Sequence, residues 1–240
     1  GVALAPQWVP RELPDFTERL AWLRRHRPEQ TEALIPTRGP DHIAVTVMLT
    51  SPDRYRRLVA RMLDETEFLA GHGVRSMSAA YRDGYSANVA GVEMSLRYVP
   101  GESDSGLFGG NSNWRGPVWF PINVLLIDAL RVYAGGVGVE DRIEMPTGSG
   151  RFVTLHEVAD ELEDRLISLF EADADGGRPG DPHDQGNGPL WTQHPFFCEY
   201  FDGDTGEGLG ATHQTGWTAL VAHLICEHAD RSPTADTDEH

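Results

Sequence analysis

Lysine is absent from this sequence of 240 residues, so all 20 of its basic residues are arginine. Cysteine is almost as scarce, with only Cys198 and Cys226. Two cysteines exclude a disulfide scaffold, and no CxxC or Cys/His spacing suggests structural zinc. Buried, unpaired thiols in a reducing, cytoplasmic compartment are therefore expected. No apolar run approaches the ~20 residues of a membrane span, and no basic leader precedes an apolar stretch. Positive charge is outweighed by 37 acidic residues, giving a formal net charge of -17. Such a surface repels phosphate backbones and anionic lipid, so no nucleic acid and no membrane is expected as a partner. A GxSxG elbow, a phosphate-cradling glycine loop and a metalloprotease helix motif are also missing. Nothing here calls for a cofactor.

What remains is an ordinary globular composition, 40% hydrophobic and 9% aromatic, long enough for one large domain or two small ones. Helical signals dominate. Asp15 caps a helix through Phe16, Leu20, Trp22 and Leu23 that ends near Pro28. Ser51-Pro52-Asp53 opens a second, with Leu58, Val59, Met62 and Leu63 on one face. A third starts near Pro121, carries Val124, Leu125, Ile127 and Leu130, and is expected to stop at Gly135-Gly136. A fourth begins with the capping box Thr154 and Glu157, then places Val158, Leu162, Leu166, Leu169 and Phe170 on one face. The last runs from about Gln214 to Glu227. Strand signals are few: residues 42–49 and 89–98 alternate only partly. Residues 172–188, rich in Asp and Gly, read as a mobile excursion, and residues 231–240 as a disordered tail.

Between the helices lie long loops rich in Gly, Asn, Asp, Pro and aromatics, and three of them concentrate chemistry. The first runs from Gly101-Glu102-Ser103-Asp104-Ser105 to Trp114-Arg115-Gly116-Pro117-Val118-Trp119. It mixes carboxylates, carboxamides, a guanidinium and indoles, as a sugar requires: planar polar groups for vicinal hydroxyls and ring faces for C–H patches. A turn-rich loop with a core tryptophan is the plainer alternative. The second sets Glu199 between Phe196, Phe197, Tyr200 and Phe201, ahead of an acidic glycine-rich turn. An apolar surround disfavours the ionised carboxylate, which suits acid or base work; a helix-terminal hydrogen bond or a pair with Arg115 is the plainer role. Asp202, Asp204 and Glu207 resemble part of a calcium loop but lack the full ligand series, so no metal site is assigned. The third, His213-Gln214-Thr215-Gly216-Trp217, offers Gln214 and Trp217 to a sugar, with His213 read as structural. Hydrolysis by paired carboxylates is the chemistry with most residues in its favour.

These segments carry a resemblance to a known family. GGNSNWRGPVW (109–119), PTGSG (146–150) and EYFDGDTGEGLGATHQTGWTALVA (199–222) look like bacterial members of glycoside hydrolase family 63. LDETEFL (63–69), GVRSMS (73–78) and YVPGESDSGLFGG (98–110) match the same pattern, and the likeness extends from about residue 12 to 225. The resemblance implies an all-α fold, part of an (α/α)6 toroid with long functional loops. It implies an inverting α-glycosidase, an α-glucosidase by the family-level expectation, acting on an oligosaccharide or small α-glycoside. Glu199 matches the general base that deprotonates water. Glu207 matches a supporting position, and Trp114, Arg115, Trp119, Gln214 and Trp217 match positions that line the sugar.

The family's general acid matches nothing in this sequence, and roughly five or six helices are legible where such a toroid needs about twelve. The expectation is therefore the C-terminal portion of a catalytic domain (1–230) whose N-terminal half and acid lie elsewhere, inactive or poorly soluble alone. A non-catalytic sugar-binding relative is the competing reading; retention of Glu199, Arg115 and the 207–217 segment argues against it. A phosphorylase would need a cluster of basic groups around Glu199, which the sequence lacks.

Overall fold

A computed structural model of the chain describes residues 2–4, 14–31, 34–38, 43–47, 51–106, 114–137, 141–183, 190, 193–214 and 216–231. In chain order the first elements are β1 (Val2–Leu4), α1 (Pro14–His26), β2 (Leu34–Arg38), β3 (Ile43–Val47), α2 (Pro52–Met62), β4 (Leu69–Ala70) and β5 (Gly73–Val74). Then come β6 (Tyr85–Val89), β7 (Val92–Leu96), β8 (Val118–Trp119), α3 (Phe120–Val137), β9 (Arg142–Glu144) and β10 (Phe152–Thr154). The chain continues through α4 (Leu155–Ser168), β11 (Cys198–Phe201), β12 (Gly208–Thr212) and α5 (Leu220–Arg231). Helix is the dominant regular structure, but the all-α expectation is corrected by the antiparallel strands set into the loops. The expected tail beyond Arg231 lies outside the described residues.

The chain divides into two compact units, residues 1–64 with 126–159, and residues 65–125 with 160–240. In the first, β1-β3-β2 form an antiparallel sheet, with Val47 opposite both Val2 and Leu34. Helix α2 starts at Pro52, as its proline-in-first-turn pattern dictates, but the Ser51 side chain makes no capping bond. PTGSG proves to be the turn of the β9–β10 hairpin. Its Thr147 donates from N to Leu63 O at 2.9 Å and from Oγ1 to Ala60 O at 2.5 Å, satisfying carbonyls at the end of α2. Tyr55 stacks on Tyr133 at 3.6 Å, and Arg56 pairs with Asp141 at 2.9 Å.

The capping box forms as the sequence dictates: Thr154 N donates to Glu157 Oε2 at 2.6 Å, and Glu157 N to Thr154 Oγ1 at 3.2 Å. Val158, Leu162, Leu166 and Leu169 are all buried, each worth about 1.5–3 kcal/mol against exposure. Helix α3 runs to Val137, through Gly135 and Gly136. Burial of Leu130, Tyr133 and Ala134 just before them outweighs the ~1 kcal/mol each glycine costs.

In the second unit Phe120, Phe170 and Phe201 pack with ring centroids 5.7–6.0 Å apart. Asn123 bridges β5 to α3: its Oδ1 accepts from Val74 N at 2.7 Å, and its Nδ2 donates to Val74 O and Trp119 O. The sheet that positions the candidate site is β12-β11-β8, all antiparallel, with Tyr200 opposite Trp119 and Phe201 opposite Val118. Residues 172–183, expected as a mobile excursion, form a bonded turn in which Asp173 Oδ1 accepts from Asp175 N and Gly177 N; the rest of that stretch, 184–188, lies outside the described residues.

Candidate functional site

Helix α3 begins directly after β8, so the WRGPVW stretch leaves the sheet with Trp114 and Trp119 close together. Their rings meet edge-on at 5.0 Å, and Trp217 meets Trp119 edge-on at 6.1 Å. Trp114 and Trp217 are about half exposed, and the indole Nε1 of Trp119 is buried with no hydrogen-bond partner among the described residues. Gln214 Oε1 accepts from Trp217 Nε1 at 2.6 Å and fixes that ring. The structure thus brings together four of the residues expected from the sequence: Trp114, Trp119, Gln214 and Trp217. Exposed indole faces beside an unsatisfied N–H suit a ligand with both C–H patches and hydroxyl oxygens.

Glu199 lies on β11, one residue before Trp119's partner Tyr200. It is half-buried, and no hydrogen bond or ion pair to its carboxylate occurs among the described residues. Alternation along the strand turns Phe201 to the core and Tyr200 to the opposite face, where its hydroxyl donates to both Glu102 oxygens, at 3.1 and 3.0 Å. By the same alternation Glu199 shares the face of Phe201. At Glu199 the β11–β12 register slips, so that Gly210 and Ala211 stand opposite this one residue. Gly210 has φ +71°, and a Cβ there would sit 2.1 Å from the Tyr200 ring. Only glycine makes this bulge.

Arg115 is buried at 2% exposure and does not pair with Glu199. Its guanidinium instead draws in the 101–105 loop: Nη1 donates to Ser105 Oγ at 2.9 Å, and Nη2 to Ser103 Oγ at 2.6 Å and Asp104 Oδ1 at 3.1 Å. Gly116 follows because its backbone presses on Val99, where a Cβ would lie 2.2 Å from the carbonyl oxygen. Glu207 accepts from His183 N at 2.9 Å and pairs with its ring at 3.0 Å. Together with Glu102, Cys198 and Thr212 it lines a cavity of about 330 Å³.

The acidic turn is internally engaged. Asp202 Oδ1 accepts from Asp204 N and Thr205 N at 2.8 Å, while Asp204 meets Arg82 at 2.9 Å and the Tyr98 hydroxyl at 2.9 Å. Burial, then the bond to Asp204, pushes the Tyr98 phenol up. Among the described residues no group of three or more His, Cys, Asp or Glu side chains is placed to hold a metal. His213 is exposed and takes a left-handed backbone, φ +55°, with Phe196 and Phe197 5.6 and 5.9 Å from its ring. Of the two thiols, Cys198 is buried and pushed up to about 12 by that burial, then by the charge of Asp181. Cys226 is exposed, against the expectation that both are buried, because α5 turns Val221 and Leu224 inward instead. Glu102 was legible only as part of a polar loop; its bond to a tyrosine 98 residues later leaves no local signal.

Glu199, on the face of Phe201, is not brought into the indole cluster. A cluster of half-exposed indoles is the kind of surface that glycoside hydrolases present to sugars. The family comparison agrees: a model of the mannosylglycerate hydrolase MGH1-like glycoside hydrolase domain matches residues 10–218, and the chain belongs to that family. It is 43% identical over 235 residues to the uncharacterized protein YMR196W of Saccharomyces cerevisiae, covering 95% of this chain and 21% of that protein. It is 24% identical over 183 residues to the mannosyl-oligosaccharide glucosidase of the same yeast, covering 76% and 16%. A probable mannosyl-oligosaccharide glucosidase of Schizosaccharomyces pombe is 24% identical over 176 residues, covering 73% and 16%. The likeness to glycoside hydrolase family 63 is thus distant. The chain spans 16–21% of the length of these curated relatives.

Proposed function

We propose that this chain is the base-bearing part of an inverting α-glycosidase acting on short α-linked glucosides or oligosaccharides. The observation that carries the reading is the Glu199 carboxylate, half-buried and without a partner among the described residues, on the central strand of the sheet whose edge strand carries Trp119. In this reading Glu199 takes a proton from a water, whose oxygen attacks the anomeric carbon as the bond to the leaving oxygen breaks. The indoles of Trp114, Trp119 and Trp217 hold the sugar, and the unpaired Nε1 of Trp119 donates to one of its hydroxyls. Gln214 orients Trp217. The Nη atoms of Arg115 fold Ser103, Asp104 and Ser105 around its guanidinium. Glu207 supports the neighbouring turn.

The general acid that protonates the leaving oxygen comes from a part of the enzyme outside these residues, and the fold that unites the two parts is an (α/α)6 toroid. The two unpaired thiols favour a cytoplasmic setting. The test is hydrolysis of a panel of α-glucosides by the full-length protein, with the product anomer read by proton NMR at early time. Release of the inverted, β-configured sugar is expected. Release of the α-anomer, or no turnover of any α-glycoside in the panel, overturns the reading.

A further inference from the structure

Apart from the 330 Å³ cavity, the second unit contains a larger one of about 620 Å³, between the β6–β7 hairpin and the loop that Arg115 holds. Its walls include Asp83, Tyr85, Arg97, Asp104 and Arg115. Three features of this cavity point to a ligand. Arg115 is 2% exposed, and its Nε is a buried donor with no partner among the described residues. Asp83 forms no ion pair or hydrogen bond among the described residues, so an acceptor faces the same space. Tyr85, on the rim, is 57% exposed, with its ring edge-on to Tyr81 at 5.9 Å. A solvent-facing aromatic ring over a polar cavity suits a C–H face bearing hydroxyls.

Charge narrows the ligand class. Arg97 and Arg115 both pair with Asp104, and Asp83 balances the remaining positive charge, so the lining is formally neutral. A carboxylate or phosphate entering this cavity would give up its hydration without an uncompensated cation to meet it. A neutral hydroxylated group supplies an oxygen to Arg115 Nε and a hydroxyl proton to Asp83. Arg115 also follows Trp114 directly, so one step of chain joins the cavity to the indole cluster.

We propose that this cavity is a second subsite, for the unit next to the sugar held by the tryptophan cluster, and that it takes a neutral sugar in preference to an acidic group. The inference rests on the sugar-binding reading of the tryptophan cluster. On this account the substrate is a glycoside of at least two neutral units, with the second sugar stacked on Tyr85 and bonded to Asp83 and Arg115.

The test is equilibrium binding to the intact chain, read by intrinsic tryptophan fluorescence and by saturation-transfer NMR. The probes are glucose, maltose and 2-O-α-glucosylglycerate, applied to the native sequence and to the Tyr85→Ala and Asp83→Asn variants. Maltose should bind about tenfold more tightly than glucose, a gain of roughly 1.4 kcal/mol, and glucosylglycerate no more tightly than glucose. Both variants should lower maltose affinity to the level of glucose and leave glucose affinity unchanged. Equal affinity for maltose and glucose, no effect of either variant, or preference for glucosylglycerate overturns the subsite while leaving the tryptophan cluster's role standing. Failure of all three sugars to bind overturns both. Both substitutions are at exposed positions, and unchanged thermal unfolding of each variant shows that it folds.

Discussion

The hydroxyl of Tyr200 donates to both carboxylate oxygens of Glu102, at 3.1 and 3.0 Å, tying the 101–105 loop to the strand that carries Glu199. Gly210 N donates to the same carboxylate at 3.3 Å, so the Glu102 side chain also reaches the bulge on β12. Hydrogen bonds to a charged group contribute about 1.5–3 kcal/mol each. Tyr200→Phe is expected to lower the unfolding free energy by about 2 kcal/mol, measured by urea denaturation. On the proposed reading it should also reduce kcat of the full-length protein with little change in KM, since the lost bond steadies the strand that carries Glu199 and not the indole cluster. An unchanged urea midpoint would contradict the structural role of this bond.

Gly210 is expected to tolerate no side chain. Its φ of +71° costs a non-glycine residue about 1–2 kcal/mol, and the Tyr200 ring occupies the space of a Cβ. Gly210→Ala should therefore destabilise by more than about 2 kcal/mol, while Ala211→Gly, one position along, should cost under about 1 kcal/mol. Parallel denaturant titrations of the two variants check the contrast.

The capping box gives a pH dependence whose sign follows from geometry. The Thr154 N–H, then its hydroxyl, holds the Glu157 carboxyl below the ordinary carboxylate range. Its folded pKa is thus lower than its unfolded one. The stabilisation is present in full above the unfolded value of about 4.3 and is lost as pH falls through the folded value. Urea midpoints at pH 7, 4 and 3 should fall more steeply for the native sequence than for Glu157→Gln. Thr154→Ala should cost about 1 kcal/mol at pH 7.

Binding of a sugar at the indole cluster should depend on Trp217 more than on its neighbours in sequence. Trp217→Ala removes one exposed face and leaves Gln214 without its donor, and a loss of about tenfold in affinity for glucose is expected. Titration followed by fluorescence or calorimetry reads it. Trp217→Phe, which keeps a ring but not the N–H, should recover part of the loss.

Much of this was legible in the sequence where a local rule applied. The capping box fixed the start of α4, and Pro52 the start of α2, because each satisfies or omits backbone donors within a few residues. Gly135-Gly136 misled as a stop signal because tertiary burial of Tyr133 and Ala134 outweighs a local glycine cost. The β6–β7 hairpin was half seen: its turn is Ala90-Gly91, with φ +52° and +84°, and alanine gives no cue for a left-handed conformation. Strand β8 has two residues, too few for any periodicity, and pairs with a strand some 80 positions away. The same distance explains the site. Trp114, Trp119 and Trp217 were singled out by residue type, but their convergence, and the roles of Glu102 and Tyr85, are set by pairings that only the folded chain brings about.

The central claim, that Glu199 is the base, is tested most directly by the turnover of α-glucosyl fluoride by the full-length enzyme and its Glu199→Gln variant. Fluoride leaves with little help from a general acid, so the comparison isolates activation of water. The account predicts a fall in kcat of about 10²–10⁴, with the variant still folded and still binding glucose. Undiminished turnover by Glu199→Gln would contradict it.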